Sequence, residues 1–313
     1  MLVSIVIPCY NSEKSIAKVV ELTMEQFEQM EGYTCEFVLV NDNSRDNTYG
    51  QIKKLAKKYS NVKGISLMRN FGQHNALMCG LNYTNGDYIM GMDDDMQTHP
   101  SQIPKIIAKL EEGYDLAYGI YKTHKNSKAK NLSSWINKVT SRILLGRPKN
   151  IASSNFWIIT RAVRDEAVKY KGFNPYVDGI FYRITDRIGN VEIEHHKREY
   201  GTSNYTFKKL LKLWMAYLNY SVIPLRIATV LGGIASAAGI ILAIVVVIRK
   251  LIHPDILMGW ASLMSAMVFF FGLVLLVIGI IGEYVGKAVM ALSDTPQYII
   301  RDTVNVPEKK DNK

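Results

Sequence analysis

The sequence predicts an α/β protein with a mostly parallel, Rossmann-like sheet, followed by two membrane-spanning helices. Three observations predict this class. Short apolar runs alternate with amphipathic stretches in residues 1–120, polar clusters follow four of these runs, and two long uncharged stretches lie near the C-terminus. The predicted strands cover residues 2–7, 36–40, 64–68, 88–92 and 115–118, and the predicted helices cover 13–30, 48–59, 72–83 and 100–111.

The composition limits the class of protein. The chain has 313 residues and a formal net charge of +10. A basic balance is compatible with nucleic acid, an anionic membrane surface or phosphorylated substrates, and charge alone does not choose among them. We expect no nucleic-acid partner. The three cysteines, Cys9, Cys35 and Cys79, are too few and too irregularly spaced for a disulfide framework or a metal knuckle.

Polar side chains follow four of the predicted strands, in residues 8–11, 41–44, 69–74 and 93–97. In doubly wound parallel sheets, ligands bind beyond the carboxyl ends of the strands. Four strand ends that deliver polar groups to one edge favour a nucleotide site over a purely structural domain.

The acidic triplet at residues 93–95 is the strongest candidate for a metal site. Alternate residues at a strand end point the same way, so Asp93 and Asp95 can share a face, and Gln97 continues the alternation. Hard oxygen ligands of this kind suit Mg²⁺ or Mn²⁺ bridging a diphosphate. The alternative is an exposed loop that has collected aspartates.

Two other strand ends carry candidate nucleotide-binding groups. Asp42 can accept a base N–H or contact the ribose, although its segment can also be a turn with a helix cap at Asn47. Arg69 precedes a helix start, where free N–H groups and positive charge suit an anion. His74 in the same segment is interpreted as a capping or packing residue.

Two segments are candidates for phosphate contacts, the first for a lipid phosphate and the second for the sugar diphosphate. The loop from Lys122 to Lys130 carries four lysines, and a solvated loop is the equal alternative. Residues 198–205 link the domain to the next helix, with Arg198 as counter-charge and Gly201 as a hinge. We interpret that linker as a lid over the sugar diphosphate.

The uncharged stretches at residues 227–248 and 256–281 each exceed the ~20 residues that a helix needs to cross a bilayer core. The short connector makes them a hairpin. Basic residues flank its outer ends, which places both termini and the catalytic domain in the cytoplasm at the inner membrane. We predict domains over 1–200, an interface helix over 201–225, two spans within 226–285 and a cytoplasmic tail over 286–313. The interface helix can instead pack on the domain.

These residues resemble the polyprenyl-phosphate glycosyltransferases of family 2, which include bactoprenol glucosyltransferases and dolichyl-phosphate mannose synthases. The resemblance is closest to the two-span bacterial type and covers residues 2–300. It rests on IVIPCYN at 5–11, NDNSRD at 41–46, RNFGQH at 69–74, DxDxQ at 93–97, RxxGxSxY at 198–205 and GEYVGK at 282–287.

The resemblance implies a GT-A fold, a UDP-sugar donor, a polyprenyl phosphate acceptor, a bilayer location and inversion at the anomeric carbon. It implies that Asp42 binds the base and that Mg²⁺ or Mn²⁺ is held by Asp93, Asp95 and Gln97, with Asp95 catalytic through the metal. The remaining implied nucleotide contacts are Pro8, Tyr10, Asn11, Arg69 and Asp94. The implied acceptor-phosphate contacts are Lys122, Lys130, Arg198 and Ser203.

The largest departure from the family is at residues 152–157, where relatives carry an aspartate proposed as the catalytic base. This chain has no carboxylate between Asp115 and Asp165. A phosphate acceptor is already anionic at neutral pH, with a second pKa of about 6, so positioning and charge neutralisation can suffice. Asp178 is a candidate substitute contact to the sugar or acceptor, with a helix cap as the alternative. Asn204 also replaces a lysine common in relatives.

Two rival functions remain at this point. One is a glycosyltransferase that acts directly on a saccharide acceptor, although no tryptophan follows an arginine as in the processive synthases. The other is a membrane scaffold without turnover, which the missing base favours and the intact metal motif opposes. The sequence does not identify the sugar. A short hairpin that needs neighbouring helices to pack against suggests a homo-oligomer.

Overall fold

The computed structural model describes residues 1–121, 147–194, 223–252, 259–292 and 295–306. The chain divides into two compact units. The first combines Met1–Lys209 with Thr295–Lys313, and the second is Leu210–Asp294.

The described part of the first unit contains one eight-stranded sheet. Its strands are β1 (Leu2–Cys9), β2 (Thr34–Asn41), β3 (Val62–Leu67), β4 (Tyr88–Gly91), β5 (Leu116–Tyr121), β6 (Trp157–Thr160), β7 (Ile188–Ile193) and β8 (Ile300–Val304). Its α-helices are α1 (Ile16–Glu28), α2 (Thr48–Lys58), α3 (Gln73–Leu81), α4 (Ile103–Glu111), α5 (Arg161–Ala167) and α6 (Val177–Ile184), and a 3₁₀ turn at Pro100–Gln102 precedes α4.

The strand order is β7-β5-β6-β4-β1-β2-β3-β8. The central block β4-β1-β2-β3 is parallel, and β5 pairs parallel with β7. Only β6 and β8 run against their neighbours. The sheet is therefore mostly parallel, as predicted, and all five predicted strands and four predicted helices are present with shifted ends.

The core lies on both faces of the central strand β1, because helices cover the sheet on both sides. Val3, Ile5, Val6 and Ile7 are fully buried, although adjacent strand residues point to opposite faces. On one face α3 approaches closely at Gly80, where a Cβ would lie 2.3 Å from Val6 Cγ1. This close packing holds the C-terminal turn of α3 against β1.

The strand β8 was not predicted, and its residues lie within the predicted cytoplasmic tail over 286–313. Residues 300–304 pair antiparallel with β3, so this part of the predicted tail belongs to the sheet of the first unit. An unpaired edge strand exposes a row of N–H and C=O groups that pairing satisfies. Beyond β8 the Asn305 side chain donates to the carbonyls of Ala56 and Val62.

The described part of the second unit consists of two long helices, α7 (Ile223–Ile252) and α8 (Trp260–Leu292). Within α8, Phe269–Gly286 is long and apolar enough to cross a membrane, with a mean hydropathy of 2.2, and the apolar segment in α7 is the shorter Ala228–Gly239. Residues 201–222 of the predicted interface helix lie outside the described residues, and 223–225 begin α7. The two-span hairpin stays a prediction.

Candidate active site

The carboxyl ends of β1, β2, β3 and β4 meet at one edge of the sheet, and the loops that follow them are joined by hydrogen bonds. The Asn11 amide donates to Ser44 Oγ at 3.0 Å, which links the loops after β1 and β2. The Ser12 hydroxyl donates to Asp94, which links the loops after β1 and β4. The predicted clustering of polar strand ends is therefore present in the structure.

Left-handed backbone conformations mark three of these strand ends. The φ angles are +58° at Asn11, +53° at Asn43 and +60° at Met96. Asparagine adopts this region more readily than most residues, whereas a methionine there is uncommon. Asn11 is held by its own side chain, whose Oδ1 accepts from the Arg45 amide at 2.9 Å. Such conformations cluster at functional sites, where the surroundings hold them in place.

Asp42 organises the loop after β3. Its side chain lies at the end of β2, is only 4% exposed, and accepts from the amides of Phe71 at 2.7 Å and Gly72 at 2.8 Å. Burial raises the pKa of Asp42, and these two amides act against that rise. Asn47 occupies the N-cap position of α2, as the alternative expected, but it makes no side-chain capping hydrogen bond. The predicted contact with the base stays a prediction.

The three acids after β4 have different surroundings. Asp94 faces Ser12 in the loop after β1, and burial raises the pKa of Asp94 to about 6. Asp93 accepts from Gln73 Nε2 at 3.0 Å and from Asn155 Nδ2 at 2.7 Å. Asp95 Oδ1 accepts from the backbone N–H of Gln97 at 3.0 Å. Asp94 links the loop after β4 to the loop after β1. Asp93 and Asp95, its neighbours in the sequence, make separate contacts.

The donor set around Asp93 and Asp95 fits a hard divalent cation only in part. Among the described residues, no group of three or more histidine, cysteine, aspartate or glutamate side chains is placed to hold a metal ion. Mg²⁺ is commonly held by one or two carboxylates, with waters and substrate phosphates completing the shell. The carboxylates of Asp93 and Asp95 and the side-chain amide oxygen of Gln97 are oxygen ligands of the type that such a partly protein-bound cation uses.

The predicted nucleotide contacts at the rim are accessible. The Tyr10 side chain is 47% exposed, and Pro8 is partly exposed. Arg69 is exposed, and its guanidinium lies 4.7 Å from the centre of the Phe71 ring. Phe71 also donates its backbone amide to Asp42, so both predicted nucleotide residues contact the same residue of this loop.

Asp178 lies in the first turn of α6 and accepts from Tyr118 Oη at 2.7 Å. Burial raises the pKa of Asp178 to about 6. The residue that precedes the helix is Tyr176, so the helix-cap alternative for Asp178 is not supported. A catalytic role for Asp178 stays a prediction.

His74 connects α3 to the start of α6. Its ring lies edge-on to Tyr176 with centroids 4.9 Å apart, and Nδ1 accepts from the Val177 amide at 3.5 Å. Burial lowers the pKa of His74 to about 4, so the ring is neutral at physiological pH. This geometry agrees with the predicted capping or packing role.

The predicted acceptor-phosphate residues Lys122, Lys130, Arg198 and Ser203 lie outside the described residues. Sequence reasoning gave no role to Asn155, Ser12 or Tyr118, which the structure brings into contact with the predicted acids. One feature of the sequence could have indicated Asn155. It lies in the segment 152–157, where the resembled family carries the aspartate proposed as catalytic base.

The chain is similar to known proteins of one family. The model of the family described as Glycosyl transferase family 2 matches residues 4–169. An undecaprenyl-phosphate 4-deoxy-4-formamido-L-arabinose transferase of Proteus mirabilis (strain HI4320) is 32% identical over 328 residues, covering 99% of this chain and 96% of that protein. The protein of the same name from Shewanella sediminis (strain HAW-EB3) is 32% identical, covering 96% of this chain and 92% of its own length.

Solved structures agree on the fold. Glucosyl-3-phosphoglycerate synthase from Mycobacterium tuberculosis, in complex with Mn²⁺, UDP and glucosyl-3-phosphoglycerate, matches with a TM-score of 0.51 and 18% identity, covering 70% of this chain and 77% of that chain. The same enzyme in complex with phosphoglyceric acid gives a TM-score of 0.51 and 19% identity, covering 69% of this chain and 78% of that chain. This likeness concerns the fold, and it confirms the GT-A α/β domain expected from the sequence.

Proposed function

Because the chain belongs to glycosyl transferase family 2, we propose that it transfers a monosaccharide from a UDP-sugar to a polyprenyl phosphate, such as undecaprenyl phosphate. The products are UDP and a polyprenyl-phospho-sugar with inverted anomeric configuration. One observation carries the choice of acceptor. The likeness to transferases named for undecaprenyl phosphate extends over 99% of the chain and therefore includes its two long apolar helices.

In this proposal the donor lies across the carboxyl edge of β1, β2 and β4. Tyr10 and Pro8 line the base and ribose, Asp42 contacts the base, and Arg69 lies near the diphosphate. Asn11 and Asp94 hold the loops around the nucleotide. Their contacts with Ser44 and Ser12 support this role, since both bonds join neighbouring strand ends.

Asp93, Asp95 and Gln97 would hold Mg²⁺ or Mn²⁺ against the diphosphate. The ion, when bound, neutralises the charge that develops on the leaving group. Asp95 is accordingly the residue that transfer depends on most in this proposal. The acceptor phosphate is steered by Lys122, Lys130, Arg198 and Ser203, and Asp178 contacts the sugar or acceptor.

The two apolar helices anchor the enzyme with its catalytic unit and both termini on the cytoplasmic side of the inner membrane. Exposed apolar side chains in α8 support the membrane part of this proposal, for example Phe269 at 66% and Leu275 at 68% exposed. A water-soluble protein rarely exposes contiguous apolar surface of this kind.

A lipid-labelling assay tests the proposed reaction. Purified protein in detergent is incubated with a short-chain polyprenyl phosphate, Mn²⁺ and a panel of radiolabelled UDP-sugars, and label in the organic phase is counted. We expect one donor to label the lipid, Asp95→Ala to lose the activity, and the exposed-aspartate control Asp165→Ala to retain it. Binding of UDP with metal but no labelled lipid from any donor would leave a saccharide acceptor or a scaffold role instead.

A further inference from the structure

We propose that Gln73 and Asn155 are positioning residues, which fix the carboxylate of Asp93 for metal and donor binding. This inference rests on the proposed function and adds two residues to its site. It further assigns to Asn155 the role of a neutral hydrogen-bond donor, which an aspartate at that position could not perform. We refer to Gln73 and Asn155 together as the amide clamp.

The clamp holds Asp93 from two sides. Gln73 is the first residue of α3 and donates from Nε2 to Asp93 Oδ1 at 3.0 Å. Asn155 lies in the loop before β6 and donates from Nδ2 to Asp93 Oδ2 at 2.7 Å. Each carboxylate oxygen therefore has its own amide donor, which fixes the rotation of the carboxylate plane.

The donors and acceptor match in chemical type. A side-chain amide nitrogen only donates, and an ionised carboxylate only accepts. Hydrogen bonds to an ionised acceptor are shorter and stronger than those between neutral groups. The clamp thus gives each of the two oxygens of Asp93 a side-chain amide donor, and these are the oxygens that the proposed metal site uses.

Contacts of the neighbouring residues place the backbone at both clamp positions. Gln73 begins α3, and the next residue, His74, lies edge-on to Tyr176. Asn155 follows Ser154, whose hydroxyl donates to the Gly119 carbonyl at 2.6 Å. The Gln73 and Asn155 side chains are themselves exposed, so their bonds to Asp93 are the contacts that order the two amides.

An aspartate at position 155 would remove one of the two donors of the clamp. An ionised carboxylate only accepts hydrogen bonds, so it would face the Asp93 carboxylate with no hydrogen to donate. A hold on both oxygens of Asp93 therefore requires an amide donor at position 155.

The proposed reaction needs no protein base at position 155. An oxygen of the acceptor phosphate forms the new bond to the anomeric carbon, and the bond from that carbon to the UDP oxygen breaks. The electron pair leaves with UDP. A phosphate monoester dianion has no proton to lose in this step, and it predominates above its second pKa of about 6.

Three variants test the clamp, namely Asn155→Ala, Asn155→Asp and Gln73→Ala, with Asn61→Ala as the matched control. Asn61 also donates one amide hydrogen bond, to the Cys35 carbonyl at 2.9 Å, but lies at the opposite edge of the sheet. The measurements are the initial rate of lipid labelling as Mn²⁺ is varied, calorimetric binding of UDP with and without Mn²⁺, and thermal unfolding.

We expect Asn155→Ala and Gln73→Ala to weaken Mn²⁺-dependent UDP binding and to raise the Mn²⁺ concentration for half-maximal rate by about tenfold, since each loses a bond to a charged group. Asn155→Asp should lose more than Asn155→Ala. Asn61→Ala should match the wild type in both measurements, and all four should unfold within a few degrees of it.

Two results would overturn the clamp. One is an Asn155→Asp variant as active as the wild type, or more active, because position 155 would then accept or use a carboxylate. The other is unchanged Mn²⁺-dependent UDP binding in both alanine variants. The binding measurement does not need lipid transfer, so a failure of the proposed reaction stays distinguishable from a failure of the clamp.

Discussion

At the residue scale, Asp42 shows how one carboxylate acts on a neighbouring loop. It lies at the end of β2, yet both of its oxygens accept amides from the loop after β3. The chain separation between these partners is large, so sequence alone indicated the acid but not the loop that it holds. A base-binding role and a loop-holding role are compatible, because each carboxylate oxygen has a further lone pair.

We predict that Asp42→Asn weakens UDP binding by about ten- to hundredfold. The substituted amide group can accept only one of the two backbone amides, and hydrogen bonds to a charged acceptor contribute about 1.5–3 kcal/mol. Titration calorimetry with UDP measures the change. Asp87→Asn is the control, since Asp87 also accepts a backbone amide, from Leu2 at 3.0 Å, but at the other edge of the sheet. Equal affinity in the two variants would refute the loop-holding role.

Asp178 gives a pH-dependent prediction. Burial raises its pKa from 3.8 to about 6 in the folded protein. Between these values the folded state binds more protons than the unfolded state, so the free energy of unfolding falls as the pH rises from about 4 to 6 and is level above that range. Asp178→Asn keeps the contact with Tyr118 and removes this contribution.

The melting temperature of Asp178→Asn, relative to the wild type, should therefore be higher at pH 7.5 than at pH 4.5. Thermal unfolding of the full chain in detergent at the two pH values measures this difference. If the melting temperatures of Asp178→Asn and the wild type differ by the same amount at both pH values, the pKa of Asp178 is not raised in the folded protein.

Residue identities near the strand ends were predictable, whereas several of their partners were not. The acidic triplet and Asp42 follow apolar runs that sequence periodicity reveals. Asn155 and Tyr118 contact Asp93 and Asp178 across 62 and 60 positions of the chain. Such contacts depend on the order of β6, β5 and β4 in the sheet, which local patterns do not encode.

At the element scale, the central strands were the most predictable part of the fold. Strands buried on both faces read as continuous apolar runs, and β1 and β2 are of this kind. The strand β8 lacks that signal, because its three central residues are exposed and only its ends, Ile300 and Val304, are partly buried. Its pairing with β3 joins distant parts of the chain.

We predict that Asn305→Ala lowers the free energy of unfolding by about 1–3 kcal/mol. The substitution leaves two backbone carbonyls, of Ala56 and Val62, without this donor. Urea or thermal unfolding of the catalytic unit within the full chain measures the loss. The comparison variant is Asp302→Ala, which removes an exposed ion pair with Lys53 and should cost less than about 1 kcal/mol. A smaller loss for Asn305→Ala than for Asp302→Ala would contradict a stabilising role for the two hydrogen bonds of Asn305.

At the scale of the whole molecule, the proposal joins a cytoplasmic GT-A unit to a membrane hairpin. Cysteine labelling tests this topology, because Cys9 and Cys79 are buried and burial raises the pKa of Cys35 to about 12. A membrane-impermeant maleimide should label His253→Cys in spheroplasts with an intact inner membrane, since the proposed topology places the connector on the outer side. Lys310→Cys should react only after that membrane is opened. Labelling of both variants in intact spheroplasts would contradict a two-span hairpin with cytoplasmic termini.

The most direct test of the central claim is the identity of the acceptor atom. Matched polyprenyl phosphate and polyprenol of equal chain length are offered with the active UDP-sugar, and the lipid products are analysed by mass spectrometry and NMR. We predict a single phosphodiester-linked sugar of inverted anomeric configuration from the phosphate and no product from the alcohol. Transfer to the alcohol at a comparable rate, or retention of configuration, would contradict the account.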